Sequence, residues 1–148
     1  MPRSTRNPAL DPLDALVGDW TVDGALPSDP TFSVRGWASF EWLAGAFFLV
    51  QRWGIEVPEF PDGIAIIGED PATGGLAQHY YDSRGVERLY ATSLDDGVWK
   101  LSRADEDFSQ RYTGAFSEDG ATITGSWEIA HDGVTWEHDF DLVYARVR

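Results

Sequence analysis

The sequence predicts an all-β domain: an antiparallel up-and-down barrel of about ten strands, preceded by one short N-terminal helical turn. Three observations predict it. After Gly18 the chain is a succession of short segments rich in aromatic and β-branched residues, near 19–25, 32–42, 46–56, 62–69, 75–82, 86–93, 98–104, 108–117, 120–129 and 134–146. Tight turns ending in Gly separate several of them: Asp82-Ser83-Arg84-Gly85, Asp95-Asp96-Gly97, Glu118-Asp119-Gly120 and His131-Asp132-Gly133. Gly accepts the left-handed backbone that a bulged hairpin turn requires. Third, the spacing leaves no room for crossover helices, so sequence neighbours pair antiparallel. Closing the meander removes its exposed edges.

Residues 1–10 read as a disordered lead-in and 11–148 as a single barrel domain. In the run Asp11-Pro12-Leu13-Asp14-Ala15-Leu16-Val17-Gly18, Asp11 suits an N-cap and Pro12 the first helical position. Asp14 adds negative charge to the first turn, and Gly18 can end the helix. Leu13, Leu16 and Val17 then face the core.

Side chains alternate along a strand, so parity assigns faces. On the last segment Trp136, His138, Phe140, Leu142 and Tyr144 oppose Glu137, Asp139 and Asp141, so the first set points inward. Taken as two-residue turns with a bulge at Gly, the Gly-ended turns carry parity from strand to strand. They place Gln110, Tyr112, Gly114 and Phe116 with Ile123, Gly125 and Trp127. They place Trp99, Leu101 and Arg103 with Tyr90 and Thr92, and Arg88 and Tyr90 with His79 and Tyr81. Val34, Phe40 and Trp42 face in, with Leu49, Gln51 and Trp53 beyond the Ala44-Gly45 loop. Phe48, Val50 and Arg52 form the alternative face there.

The expected interior therefore mixes rings with polar groups. Its ligand-binding candidates are Trp42, Gln51, His79, Tyr81, Arg88, Tyr90, Trp99, Gln110, Tyr112, Trp127, His138 and Tyr144. Burying such groups without partners costs roughly 1–3 kcal/mol each, so they satisfy one another or meet water or a ligand. Aromatic walls with a few convergent polar groups are typical of small-molecule sites. The loop Glu56-Val57-Pro58-Glu59-Phe60-Pro61-Asp62 either caps the barrel mouth or only bridges two strands. The stretch 25–31 is the other candidate rim loop.

Bulk properties narrow the partners. The chain has 148 residues, 43% of them hydrophobic and 14% aromatic, with seven Trp. Its 25 acidic residues against 11 Lys and Arg give a formal charge of −14. That balance argues against a nucleic-acid or anionic-membrane partner. No cysteine is present, which removes disulfide and thiolate chemistry and fits a cytoplasmic setting. The first residues carry no apolar stretch, so no signal peptide is expected. Neither a P-loop nor a Gly-x-Gly-x-x-Gly pattern occurs.

The opening Leu16-Val17-Gly18-Asp19-Trp20 resembles the Gly-x-Trp start of calycin barrels such as lipocalins and nitrobindin-like proteins. In those families the Trp closes one barrel end. A larger set of segments is similar to a bacterial family of uncharacterised calycin-like domains, close to domain of unknown function 1579. They are Phe40-Glu41-Trp42-Leu43-Ala44-Gly45, Phe48-Leu49-Val50-Gln51-Arg52, Ala65-Ile66-Ile67-Gly68, Gln78-His79-Tyr80-Tyr81-Asp82-Ser83-Arg84-Gly85-Val86, Asp95-Asp96-Gly97-Val98-Trp99 and Trp136-Glu137-His138-Asp139-Phe140-Asp141-Leu142. The resemblance implies a barrel with an internal cavity and carries no agreed catalytic residues. Nitrobindin-like relatives bind haem through a His, so a haem barrel using His79 or His138 is a minor expectation beside the cofactor-free one.

The leading expectation is a barrel that binds a small, largely apolar or aromatic molecule in its lumen. Arg88 would meet an anionic oxygen there. The alternative is a cofactor-free isomerase or cyclase with His79, Arg88 and Tyr81 or Tyr90 as catalytic candidates. A third reading is an interaction protein whose barrel is simply packed. A metal is not expected, because only three His exist and parity places no carboxylate inside. Arg103 is expected in a surface ion pair with Asp105 or Glu106. Trp37 points outward, which leaves room for a homodimer.

Overall fold

The computed structural model describes residues 6–26, 29–105 and 107–147. It is a closed ten-stranded antiparallel barrel in up-and-down order: β1 (Gly18–Leu26), β2 (Asp29–Trp42), β3 (Leu49–Ile55), β4 (Gly63–Glu69), β5 (Leu76–Asp82), β6 (Glu87–Asp95), β7 (Val98–Arg103), β8 (Ser109–Phe116), β9 (Thr122–Ala130) and β10 (Glu137–Arg146). β1 closes the ring on β10, with Trp20 opposite Arg146. Every strand thus has two partners, and no edge is left to recruit another chain.

The helical piece begins earlier than Asp11. A 3₁₀ segment runs Pro8–Leu16, capped by the Asn7 side chain, which accepts from the Ala9 N–H at 2.9 Å. Pro8 follows the cap, where a missing N–H costs nothing. Leu10, Leu13 and Leu16 are fully buried, and their spacing of three is the repeat of a 3₁₀ turn. Residues 8–10 of the expected lead-in therefore belong to the fold, and 1–5 lie outside the described residues.

This segment plugs one end of the barrel. Asn7 donates to the Gly74 carbonyl, and Arg6 donates to the Ala46 carbonyl. Trp42 donates its indole N–H to Asp14 at 2.7 Å, beneath the Arg6 guanidinium. Trp20 donates to the Leu16 carbonyl at 2.8 Å, with Arg146 over its ring. The loops joining β3 to β4, β5 to β6, β7 to β8 and β9 to β10 gather at the other end, the mouth.

Two local features decide which side chains enter the lumen. The Asp95–Val98 hairpin closes over two residues and the Ser117–Thr122 hairpin over four, both even. The Asp82–Val86 hairpin closes over three, Ser83, Arg84 and Gly85, with Asp82 N–H donating to the Val86 carbonyl. An odd loop reverses the parity carried across it. Gln78 consequently faces Tyr90, and Tyr80 faces Arg88. The second feature is a bulge on β10. His138 pairs with Glu128 but Phe140 pairs with Trp127, so Asp139 is the extra residue.

Candidate functional site

The lumen holds a cavity of about 430 Å³ that reaches the mouth. Its walls are rings. Trp53 stacks on Tyr80 with centroids 5.3 Å apart, Tyr90 stands edge-on to Tyr80 and Trp127, and Tyr112 lies between Trp99 and Trp127. Phe60 and Pro61 of the β3–β4 loop line the rim, and Phe60 packs on Phe32. That loop therefore sits at the mouth. Of the stretch 25–31, residues 27 and 28 lie outside the described set.

The sequence candidates divide into those the lumen contains and those it does not. Gln51, Arg88, Tyr90, Trp99, Gln110, Tyr112, Trp127 and Tyr144 all line the cavity. His79 and Tyr81 do not. Both are exposed on the outer face, because the three-residue loop shifts β5 by one. His138 is also outside: the Asp139 bulge turns it toward Asp141, at 2.7 Å. Trp136 is stacked on the outer-face Arg111 by the same shift. Trp42 seals the plugged end and does not touch the cavity. Arg103 lies 3.7 Å from Asp105 and donates to the Phe108 carbonyl, while Glu106 is outside the described residues.

These placements remove the pairing of His79 with Arg88 on which the enzyme reading rested. They also bear on haem. His79 and His138 lie outside the barrel and His131 in the β9–β10 turn, so the cavity wall offers no imidazole. A histidine-ligated haem in the lumen does not fit these residues.

Parity also hid lumen residues. Gln78 and Tyr80 take the places expected for His79 and Tyr81. Asp139, read as outward, lines the cavity through the bulge. The signal for the first pair was legible in Asp82. An Asx residue followed by two polar residues and Gly encodes a three-residue loop as readily as a two-residue one. Nothing in the β10 sequence signals the bulge.

The polar groups of the site fall into two sets. Near the mouth they satisfy one another. Tyr90 donates to Gln110 Oε1 at 2.8 Å, and Arg88 donates to the same oxygen at 3.3 Å. Tyr80 donates to Asp82 at 2.6 Å, and Arg84 donates to Asp82 through both Nε and Nη2. Burial alone would raise the Asp82 carboxyl. Donors from Arg84, Tyr80 and the Arg84 and Val86 backbone outweigh it and hold Asp82 well below the usual carboxylate range. Arg88 has no carboxylate partner among the described residues and lies over the Phe108 ring at 5.1 Å.

Elsewhere on the wall, pairing fails. Gln51 Oε1, Gln78 Oε1, Trp99 Nε1 and Tyr112 Oη are buried without a hydrogen-bond partner, and all four residues line the cavity. Burial pushes the phenols of Tyr80, Tyr90, Tyr112 and Tyr144 upward, so each stays neutral near pH 7. Burial also raises the Asp139 carboxyl, partly offset by His131 and His138.

Fold and site together define a closed ten-stranded antiparallel barrel with an aromatic, partly unsatisfied internal cavity. The crystal structure of Rv2717c from M. tuberculosis is similar to it, with a TM-score of 0.67 across 97% of this chain and 100% of that one. Identity between the two is 16%, so the likeness concerns the fold alone. No family model and no curated protein matches the chain. Among the described residues no helix is long and apolar enough to cross a membrane.

Proposed function

We propose that this barrel binds a small, largely apolar or aromatic molecule in its lumen. One observation carries the reading: a ring-walled cavity of about 430 Å³ into which four buried polar atoms project without partners. The volume falls within the range of small-molecule pockets. A core meant only to be packed would fill that space, because interiors are close-packed and unpaired buried polar atoms are costly. The inward Arg88, free of a carboxylate partner among the described residues, suits an electron-rich oxygen near the mouth.

The rest of the reading rests on sequence. The acidic balance disfavours nucleic acid and anionic membrane as partners, and the cysteine-free composition suits a cytoplasmic setting. Kinship with domain of unknown function 1579 rests on the segments that resemble it.

Native mass spectrometry of the protein purified from its own host tests the central claim. The expected result is a small-molecule adduct that denaturation releases. Bare protein that also takes up no aromatic probe in solution would remove the proposal.

A further inference from the structure

We infer that the lumen recognises a flat heteroaromatic molecule whose buried edge carries a hydrogen-bond donor beside an acceptor, as a cyclic amide does. This rests on the lumen-binding reading and specifies the class of ligand. The polar groups near the mouth are engaged, since Gln110 accepts from Tyr90 and Arg88 and Asp82 accepts from Tyr80 and Arg84. The buried atoms left without any partner belong instead to Gln51, Gln78, Trp99 and Tyr112.

Their demand for partners has a definite chemistry. Gln51 and Gln78 are only 6% and 4% exposed, and the carbonyl oxygen of each lacks a donor. Each side-chain amide presents a C=O and an NH₂ on one edge, so its natural complement is an N–H next to a C=O, whichever way the amide is turned. Trp99 Nε1 is a donor only, and it is 1% exposed and unpaired, so it calls for an acceptor. Tyr112 Oη serves as either.

Both amides line the same cavity. Gln51 on β3 lies opposite Ala65, and Gln78 on β5 lies opposite Ile67, the next inward residue of β4. The shape requirement comes from the walls, because the stacked Trp53 and Tyr80 and the edge-on Tyr90 favour a planar ring over a flexible chain. A hydrocarbon of the same shape would fill the space and leave all four polar atoms unpaired, which is how polar sites reject apolar analogues.

Isothermal titration calorimetry on the full chain with three probes of nearly equal size tests this: 2-quinolinone, its N-methyl derivative and naphthalene. The expected order is 2-quinolinone at least tenfold tighter than naphthalene, with N-methylation removing most of the difference. Gln51→Leu and Gln78→Leu should each narrow that ratio and tighten naphthalene, whose binding also shows that the variant cavity is folded. Naphthalene binding as tightly as 2-quinolinone in the unmodified protein overturns the inference, because internal water would then satisfy these atoms, while the lumen-binding proposal stands. Binding of none of the three probes overturns both.

Discussion

The guanidinium of Arg146, on the last strand, lies 4.2 Å from the centre of the Trp20 ring, on the first. It also donates to the Val17 and Ala15 carbonyls at 2.6 and 2.7 Å, tying the end of the 3₁₀ plug to the strand that closes the barrel. The Trp20 ring is also held by its own indole N–H bond to the Leu16 carbonyl. This is the joint between the two ends of the chain. Hydrogen bonds from a charged group contribute about 1.5–3 kcal/mol, and a cation over a ring adds about 0.5–1 kcal/mol or more.

Arg146→Ala should therefore lower stability by about 2–4 kcal/mol in urea unfolding, through the lost bonds to the two carbonyls and the lost contact with the Trp20 ring. Arg146→Lys should recover less than half, because an ammonium cannot fork to two carbonyls while stacking. Full recovery by Lys would mean that charge alone matters. Gly18→Ala should harm the same joint, because Gly18 has φ +128° and an added Cβ would lie 2.8 Å from the Arg146 guanidinium.

Acid should loosen the β5–β6 hairpin through Asp82. Its carboxyl is held below the ordinary value of about 4, so it contributes stability above that value and loses the contribution as pH falls through the lowered one. Asp139 acts in the opposite direction. Burial raises it, so its ionised form costs stability at neutral pH and protonation relieves the cost. Melting temperatures between pH 7 and 3 should show Asp82→Asn lower at pH 7 with a flatter acid limb. Asp139→Asn should be more stable than the parent at pH 7 and equal to it at pH 3. The reverse ranking at pH 7 would contradict both assignments.

The barrel was legible because hairpin turns and alternation are local. Asp96 and Gly97, at φ +51° and +73°, make the tight turn their sequence announces. The lumen face was legible wherever loops were even, hence Trp99, Tyr112 and Trp127. It was lost at His79 because one residue of loop length inverts a whole strand. It was lost at His138 because the bulge at Asp139 answers to the tertiary demand of closing β10 on β1 and β9, which no short window contains. The 3₁₀ plug started early because Asn7-Pro8 caps as well as Asp11-Pro12 does, and the Leu10 contact that selects it is long-range.

The outward turn of His79 yields a direct contrast. Anilinonaphthalene sulfonate, a flat anion whose fluorescence rises in apolar sites, should bind the lumen with its sulfonate toward Arg88. His79→Ala should leave its affinity unchanged, since that ring faces solvent on the far side of the sheet. Arg88→Met should weaken it about tenfold, the loss of one charge-assisted hydrogen bond. A larger effect at His79 than at Arg88 would place the probe on the outer wall.

Tyr112 sets the floor of the cavity through two glycines. Gly114 and Gly125 are paired across β8 and β9, and the Tyr112 ring lies over both. A Cβ on Gly125 would sit 2.3 Å from the Tyr112 hydroxyl oxygen, and one on Gly114 would sit 2.5 Å from it. Trp99 and Trp127 flank the ring at 5.2 and 5.3 Å, so it cannot slide along the wall. The remaining direction is into the lumen. Gly125→Ala should thus cost about 1–3 kcal/mol through overpacking and weaken probe binding together with it. Gly120→Ala is the comparison: its φ is +71° with nothing within 4 Å of an added Cβ, so it strains the turn without reaching the cavity. It should cost about 1–2 kcal/mol and leave affinity intact. Equal loss of binding in both variants would show that lowered stability, and not a displaced Tyr112, had closed the site.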